Sequence, residues 1–204
     1  MSFKENKFEI VKQAVSWDMA NFLLNYLTIK REVAKKLTDD GYEDNPDLIG
    51  TIGIPVKESQ VSGGNKMFYM YGDVAIDTLL LKVKRKVEAV IEEKVWPTYS
   101  YARIYSQGSF LKPHKDREEC EISCSMFLGG TKWDFFVEGE KIDLNIGDMV
   151  IYEGKEVEHW REPFKEESEC IQAMLHYQRE NNPLLNAFDG RGRIALPERY
   201  SKYA

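Results

Sequence analysis

The sequence changes texture at Pro97, and that change limits the fold more than any other feature. Beyond it, the runs YSYARIYS, EISCSMFLG, KWDFFVEG, KIDLN, DMVIYEG and CIQAMLHYQ are short and rich in β-branched and aromatic residues. Gly108, Pro113, Gly129-Gly130, Gly139, Gly147 and Gly154 punctuate them. Strands at such close intervals suggest a sandwich or barrel of the jelly-roll kind. Ahead of Pro97 the spacing is helical. Residues 73–94 carry Leu79, Leu80, Val83, Val87, Val90 and Ile91 at three- and four-residue steps, with Asp73 placed to cap the helix. Residues 8–37 lack Gly and Pro, and their apolar positions cluster rather than alternate. They read as one or two helices, with Ser16-Trp17-Asp18 as cap and break. Residues 38–66, rich in Asp, Gly, Asn and Pro, read as a long loop with short strands around Gly50 to Val56. Loops of that length often carry function. The end of the chain, 179–204, reads as an irregular wrap over the surface.

Charge narrows the partners. There are 28 basic and 34 acidic residues, a net charge of −6. Such a balance gives no electrostatic reason to expect nucleic acid, because phosphate binding wants a basic field. The N-terminus has no apolar signal-like region, and no run of apolar residues is long enough for a membrane span. Three cysteines, Cys120, Cys124 and Cys170, are an odd number without a CxxC pair. They read as reduced thiols of a cytoplasmic protein and do not support a structural zinc site.

Only three histidines occur, and two stand in informative places. His114 and Asp116 follow a β-prone run. In an extended segment, residues two apart point the same way, so an imidazole and a carboxylate converge there. His159 comes 43 residues after Asp116, beyond the GDMVIY run. A jelly roll places strands distant in sequence side by side, so His159 can complete the set. Two neutral imidazoles and one carboxylate on one face of an octahedron leave three positions open, the ligand arrangement of non-haem Fe(II) oxygenases. A His-x-Asp pair by itself is common in surface loops, so the surrounding string matters.

That string runs from Tyr105 through Gly108 to Pro113-His114-Lys115-Asp116. It resembles the prolyl 4-hydroxylase-like branch of the 2-oxoglutarate/Fe(II)-dependent dioxygenases, which has a tyrosine, a glycine three residues later, then Pro-His-x-Asp at this spacing. GDMVIYEGKEVEHWREPF resembles the distal half of the same pattern: Gly147-Asp148, an apolar strand, a short loop, His159, and Pro163 four later. The resemblance covers roughly Tyr99 to Gln178. It implies an α+β fold with a double-stranded β-helix (jelly-roll) core and N-terminal helices packed on one sheet. It also implies one dioxygenase domain over 1–204, made of a helical part at 1–96, a core at 97–178 and the C-terminal wrap. The implied cofactors are Fe(II), 2-oxoglutarate as cosubstrate and dioxygen, with ascorbate as an optional addition. The implied reaction is hydroxylation of an unactivated C–H bond, coupled to decarboxylation of 2-oxoglutarate to succinate. A peptide prolyl residue is the substrate the branch suggests. A free amino acid or other small molecule is the alternative, and a metal-binding jelly roll without catalysis is the reading from another class.

The family pattern assigns Tyr105 to the cosubstrate. Tyr101 and Arg103 share its strand face by period two and read as lining or rim residues. The distal carboxylate of the cosubstrate needs a cation, since a buried unpaired carboxylate is costly. The prolyl hydroxylase pattern supplies Lys or Arg nine or ten residues after the distal histidine, but this chain has Ser168 and Glu169 there. Arg161, two residues after His159, is the replacement expected here. Its guanidinium could grip a carboxylate with two parallel bonds. Lys165 is the next choice. Gln172 and Ser125 would add polar contacts, and Phe127 lining, if their strand faces point inward. His176 reads as a satisfied strand histidine without a nearby carboxylate. Arg117 and Glu121 read either as orienting Asp116 or as an ordinary ion pair. Trp133 and Trp160 read as packing residues.

Overall fold

A computed structural model describes residues 3–40, 54–56, 61–62 and 67–183. Most of the expected loop at 38–66 and of the C-terminal wrap lies outside these residues. The elements are α1 (Phe3–Asn6), β1 (Phe8–Val11), α2 (Trp17–Asp39), β2 (Ile54–Val56), β3 (Val61–Ser62), β4 (Met67–Tyr71) and α3 (Val74–Ile91). There follow β5 (Val95–Ser106), β6 (Phe110–His114), β7 (Ile122–Gly130), β8 (Phe135–Val137), β9 (Glu140–Ile142), β10 (Met149–Glu153), β11 (His159–Arg161) and β12 (Glu169–Arg179).

The helix starts follow their sequence signals. Asp73 accepts a 2.9 Å bond from the N–H of Ala75 and so satisfies one of the free donors at the start of α3. Ser16 Oγ accepts from the N–H of Met19 at 3.2 Å and does the same for α2. Residues 8–11, expected to be helical, form a strand instead. Phe8 and Ile10 alternate with Glu9 and Val11, a period of two that four residues are too few to reveal. Lys7 and Gln13 on either side have φ of 62° and 47°, which break any helix there. The run pairs antiparallel with β10, Phe8 opposite Tyr152, a partner far along the chain.

Two antiparallel sheets result. The larger has the order β1-β10-β7-β12-β5-β4-β2, the smaller β3-β6-β11-β8-β9. From β5 to β8, successive strands change sheet; β9 stays beside β8 as a hairpin, and alternation resumes through β12. The larger sheet thus has two covered faces. Toward the helices it presents Ala102 and Ile104, Ile122, Cys124, Met126 and Leu128, and Ile171, Ala173, Leu175 and Tyr177. These pack against Leu23 and Leu27 of α2 and Leu79, Leu80, Val83 and Val87 of α3. Toward the smaller sheet it presents Tyr105, Phe127, Val150, Tyr152 and Cys170, packed on Phe135, Val137 and Ile142. Pro97, expected to close the helical half, sits inside β5, where the pairing with β12 shifts register between His176 and Tyr177. A bulge is one of the few places a sheet accepts proline. No helix among the described residues is long and apolar enough to cross a membrane.

Candidate metal centre and adjoining cavity

Strand pairing brings the two histidines together. In the smaller sheet, His159 at the start of β11 lies directly opposite His114 at the end of β6. Their rings are 4.2 Å apart. The register shifts before the next pair, Arg161 with Leu111, and Pro113, which has no N–H to donate, lies in the intervening stretch of β6. Asp116 sits beyond the end of β6, so its position does not come from strand alternation as expected. Its N–H donates to the carbonyl of Gly154 at 2.8 Å, which folds the loop back against the end of β10.

Ligand atoms of His114, Asp116 and His159 all lie within 4.8 Å of one another. Asp116 Oδ1 is 3.7 Å from His114 Nε2 and 3.5 Å from His159 Nε2. Bonds of about 2.1 Å at right angles would set neighbouring ligand atoms about 3 Å apart, and opposite ones about 4.2 Å. The observed spacings fall between the two, so small side-chain adjustments would bring the three donors onto one face of an ion. His114 Nδ1 lies 2.8 Å from the carbonyl of Lys112, and His159 Nδ1 3.2 Å from that of Val157. A carbonyl only accepts, so each Nδ1 carries the proton and each Nε2 turns its lone pair to the shared space. Phe135 and Tyr152 pack against the His159 ring and hold its plane.

Electrostatics suit a cation. Burial lowers the His114 pKa, assisted by the neighbouring His159, which keeps the imidazole neutral. Burial pushes the Asp116 carboxyl upward, but its contacts with His159, His176 and the Ser123 hydroxyl outweigh it and hold the group below its ordinary value. Asp116 is therefore ionised, and one negative charge stands beside the two imidazoles.

Behind Phe135, whose ring meets that of His159, a cavity of about 390 Å³ opens between the sheets, within the range of small-molecule sites; its lining includes none of the three candidate ligands. Phe127, Trp133, Phe135, Ile142 and Leu144 give it apolar walls; Arg161 and Gln172 supply polar groups. Ion pairs of Lys132 with Asp143 and of Lys141 with Asp134 stand among its lining residues. Arg161 is 4% exposed. Its Nη1 donates to the Trp133 carbonyl at 2.6 Å, and the guanidinium lies over the Trp133 and Phe135 rings. These contacts fix the plane of a cation that faces the cavity. Ser125 Oγ donates to Gln172 Oε1 at 3.3 Å, and Gln172 Nε2 to Cys170 Sγ at 3.2 Å. Ser125, Gln172 and Phe127 thus all face inward. Tyr105 is buried on the same sheet face, opposite Cys170 and edge-on to Trp133. Arg103 lies over Tyr101 and Tyr105 and donates to the Tyr101 hydroxyl at 3.0 Å.

Other expectations meet different outcomes. Lys165 is exposed and does not line the cavity. Glu169, at one of the positions where the family pattern has a cation, pairs with Arg31 of α2. Glu121 turns away from Asp116 to bind Arg179 and Asn182. Arg117 pairs with Glu119 and lies over Tyr99. Trp133 does pack, but it also lines the cavity and donates to the Glu162 carbonyl at 2.7 Å. Trp160 stacks on Phe136. The Gly147-Asp148 pair is structural: Asp148 accepts from the N–H groups of Gln13 and Asn145, and a Cβ at Gly147 would lie 2.5 Å from the Val15 carbonyl.

His176 requires a correction. It does have a carboxylate nearby, since Asp116, Cys120 and His176 form a second cluster within 4.8 Å. Ser123 Oγ bridges them, 2.6 Å from Asp116 Oδ2 and 2.9 Å from His176 Nδ1. Burial lowers the His176 pKa to about 4, so the imidazole is neutral. Ser123, His176 and Gly154 are the site residues that spacing did not find. Period two along CIQAMLHYQ does put His176 on the face of Gln172, the one available signal.

No family model matches the sequence, and neither does any curated protein. Solved structures do match in fold. A prolyl-4-hydroxylase from Pseudomonas putida superposes with a TM-score of 0.58 at 14% identity, covering 87% of this chain and 95% of that one. HygX from Streptomyces hygroscopicus, with nickel, 2-oxoglutarate and hygromycin B bound, gives 0.62 at 9% identity over 88% and 85%. An oxidoreductase of the 2OG-Fe(II) oxygenase family from Burkholderia pseudomallei gives 0.57 at 12% identity over 88% of each. The chain has the α+β fold of the 2-oxoglutarate/Fe(II) oxygenase structures, prolyl-4-hydroxylases among them.

Proposed function

We propose that this chain is a 2-oxoglutarate- and Fe(II)-dependent oxygenase that hydroxylates an unactivated C–H bond. The observation that carries the reading is the convergence of His114, Asp116 and His159, with the fixed guanidinium of Arg161 two residues along β11 from His159. Alternation of successive strands between the sheets supports a double-stranded β-helix, with residues 97–178 as its core.

His114, Asp116 and His159 would hold the iron. When bound, that iron supplies activation of dioxygen, coupled to decarboxylation of 2-oxoglutarate, for attack on the C–H bond. The protein does the rest by placement. Carbonyls of Lys112 and Val157 keep the two imidazoles in the ligating tautomer. Arg161 lies two residues beyond His159, about 7 Å along the strand, a suitable span for a five-carbon diacid. It would neutralise the distal carboxylate in place of the cation absent at Ser168 and Glu169. Tyr105, Gln172 and Ser125 would add hydrogen bonds, and the Phe127, Trp133 and Phe135 walls exclude water.

The fold likeness reaches both a prolyl-4-hydroxylase and HygX with hygromycin B, so it supports a peptide and a small-molecule substrate alike. A mass-spectrometric screen of both classes for the gain of one oxygen decides between them.

Anaerobic addition of Fe(II) and 2-oxoglutarate should produce a weak visible charge-transfer band. Admission of air should then release succinate. His159→Ala should lose both signals. A wild-type protein that binds metal but gives neither would be a metal-binding module, and the oxygenase reading would fail.

A further inference from the structure

The two oxygens of Asp116 have unlike surroundings. Oδ1 faces the Nε2 atoms of His114 and His159. Oδ2 is engaged by Ser123 Oγ at 2.6 Å. Ser123 is fully buried on β7, with His176 of β12 and Tyr152 of β10 as its register neighbours. Its hydroxyl owns one proton, and three groups lie within reach: Asp116 Oδ2, His176 Nδ1 at 2.9 Å and the Cys120 carbonyl at 3.2 Å. The carboxylate is the strongest acceptor and makes the shortest contact, so it takes the proton. His176 Nδ1 can then meet the hydroxyl only as a donor. The bonds run in one direction, from His176 Nδ1–H to Ser123 Oγ and from Ser123 Oγ–H to Asp116 Oδ2.

The backbone is shaped around this relay. Gly154 receives the Asp116 N–H through its carbonyl. A Cβ there would lie 2.5 Å from Ser123 Oγ and 2.7 Å from Asp116 Oδ2. Only glycine lets the end of β10 come so near both groups without displacing them.

A carboxylate free to turn can bind one metal through both oxygens. With two imidazoles it would then fill four of six octahedral positions and leave two. An oxygen already accepting a short hydrogen bond is a poor second ligand. We propose that Ser123 and His176 are positioning residues that restrict Asp116 to coordination through Oδ1 and so keep three positions beside the metal open. The inference rests on the triad reading above, and it explains why a neutral histidine is buried behind a ligand it does not replace.

Cobalt(II) is a suitable probe on the full chain, because its visible absorption reports coordination number independently of turnover. His159→Ala tests the underlying reading: cobalt binding as tight as in wild type would remove the triad, and this inference with it. If His159→Ala loses binding, the relay is tested separately. Ser123→Ala is expected to weaken cobalt affinity about 10- to 100-fold, as loss of a group that orients a ligand typically does. Its visible band should change with the carboxylate's binding mode. His176→Leu should act in the same direction. His176→Asn, whose amide N–H can stand in for Nδ1–H, should return affinity and band toward wild type. Wild-type affinity with an unchanged band in Ser123→Ala and His176→Leu would overturn the proposal. Should circular dichroism show that Ser123→Ala does not fold, the His176 pair decides alone: restoration by Asn supports the relay, and identical behaviour of Asn and Leu rejects it.

Discussion

The two faces of the larger sheet differ in kind. Along β7, Ile122, Cys124, Met126 and Leu128 face the helices, while Ser123, Ser125 and Phe127 face the smaller sheet. Along β12, Ile171, Ala173, Leu175 and Tyr177 oppose Cys170, Gln172 and His176. The helix-facing side is mostly apolar; among its polar groups, Tyr177 donates to the Leu80 carbonyl at 2.6 Å and Ser100 donates to Asp77 of α3 at 2.6 Å. Along these two strands the inward side buries the hydroxyls of Ser123 and Ser125, the Gln172 amide and the His176 imidazole, each held by a hydrogen bond. Burying such groups costs free energy unless they are paired, so a chain built for stability alone would not place them there. The same strands thus hold the fold with one face and arrange a site with the other.

Leu80→Ala should separate the faces most strongly. It leaves a hole in the fully buried helix-facing core and should cost about 2–5 kcal/mol in denaturant unfolding. Cobalt affinity of the folded fraction should stay at its wild-type value; a parallel drop would mean that the faces are not independent.

Acid should act through the inward face. The folded-state pKa of His176, about 4, lies below its ordinary 6.5 because of burial. Its contribution to stability is therefore complete above pH 6.5 and is lost as pH falls through about 4. Metal-free protein should lose roughly 3 kcal/mol across that window from this group. His176→Asn does not titrate there, so its unfolding free energy should depend less on pH. Identical slopes in the two proteins would show that His176 titrates normally.

Arg161→Ala should raise the 2-oxoglutarate requirement for succinate formation by about 10- to 100-fold, corresponding to about 1.5–3 kcal/mol for bonds to a charged group. Lys165→Ala should leave it unchanged. Equal effects would remove Arg161 as the anchor. The smallest effect is expected from Tyr177→Phe, about 1 kcal/mol of stability for one buried hydrogen bond, with no change in metal binding.

Much of this was legible in the chain. Period two within β7 and β12 sorts their residues into two faces whatever the sheet packs against. The candidate metal ligands stand out because histidine is scarce and the Pro-His-x-Asp string is distinctive. The distance of Arg161 from His159 singles it out in the sequence, and in the structure it lines the cavity. By contrast, Phe8–Val11 reads as part of a helix, since four residues cannot display a period and its partner lies on β10. Glu121 was a fair candidate to orient Asp116 until Arg179 and Asn182 claimed it.

The sequence by itself determined which residue types could ligate a metal and which side of each strand they share, because both follow from local chemistry and backbone geometry. Tertiary structure decided which distant strand met which. It set His159 opposite His114, seated Arg161 against Trp133, and brought Ser123, His176 and Gly154 around Asp116. Those meetings depend on register between segments dozens of residues apart, and a one-residue slip in any of them would turn the site face outward.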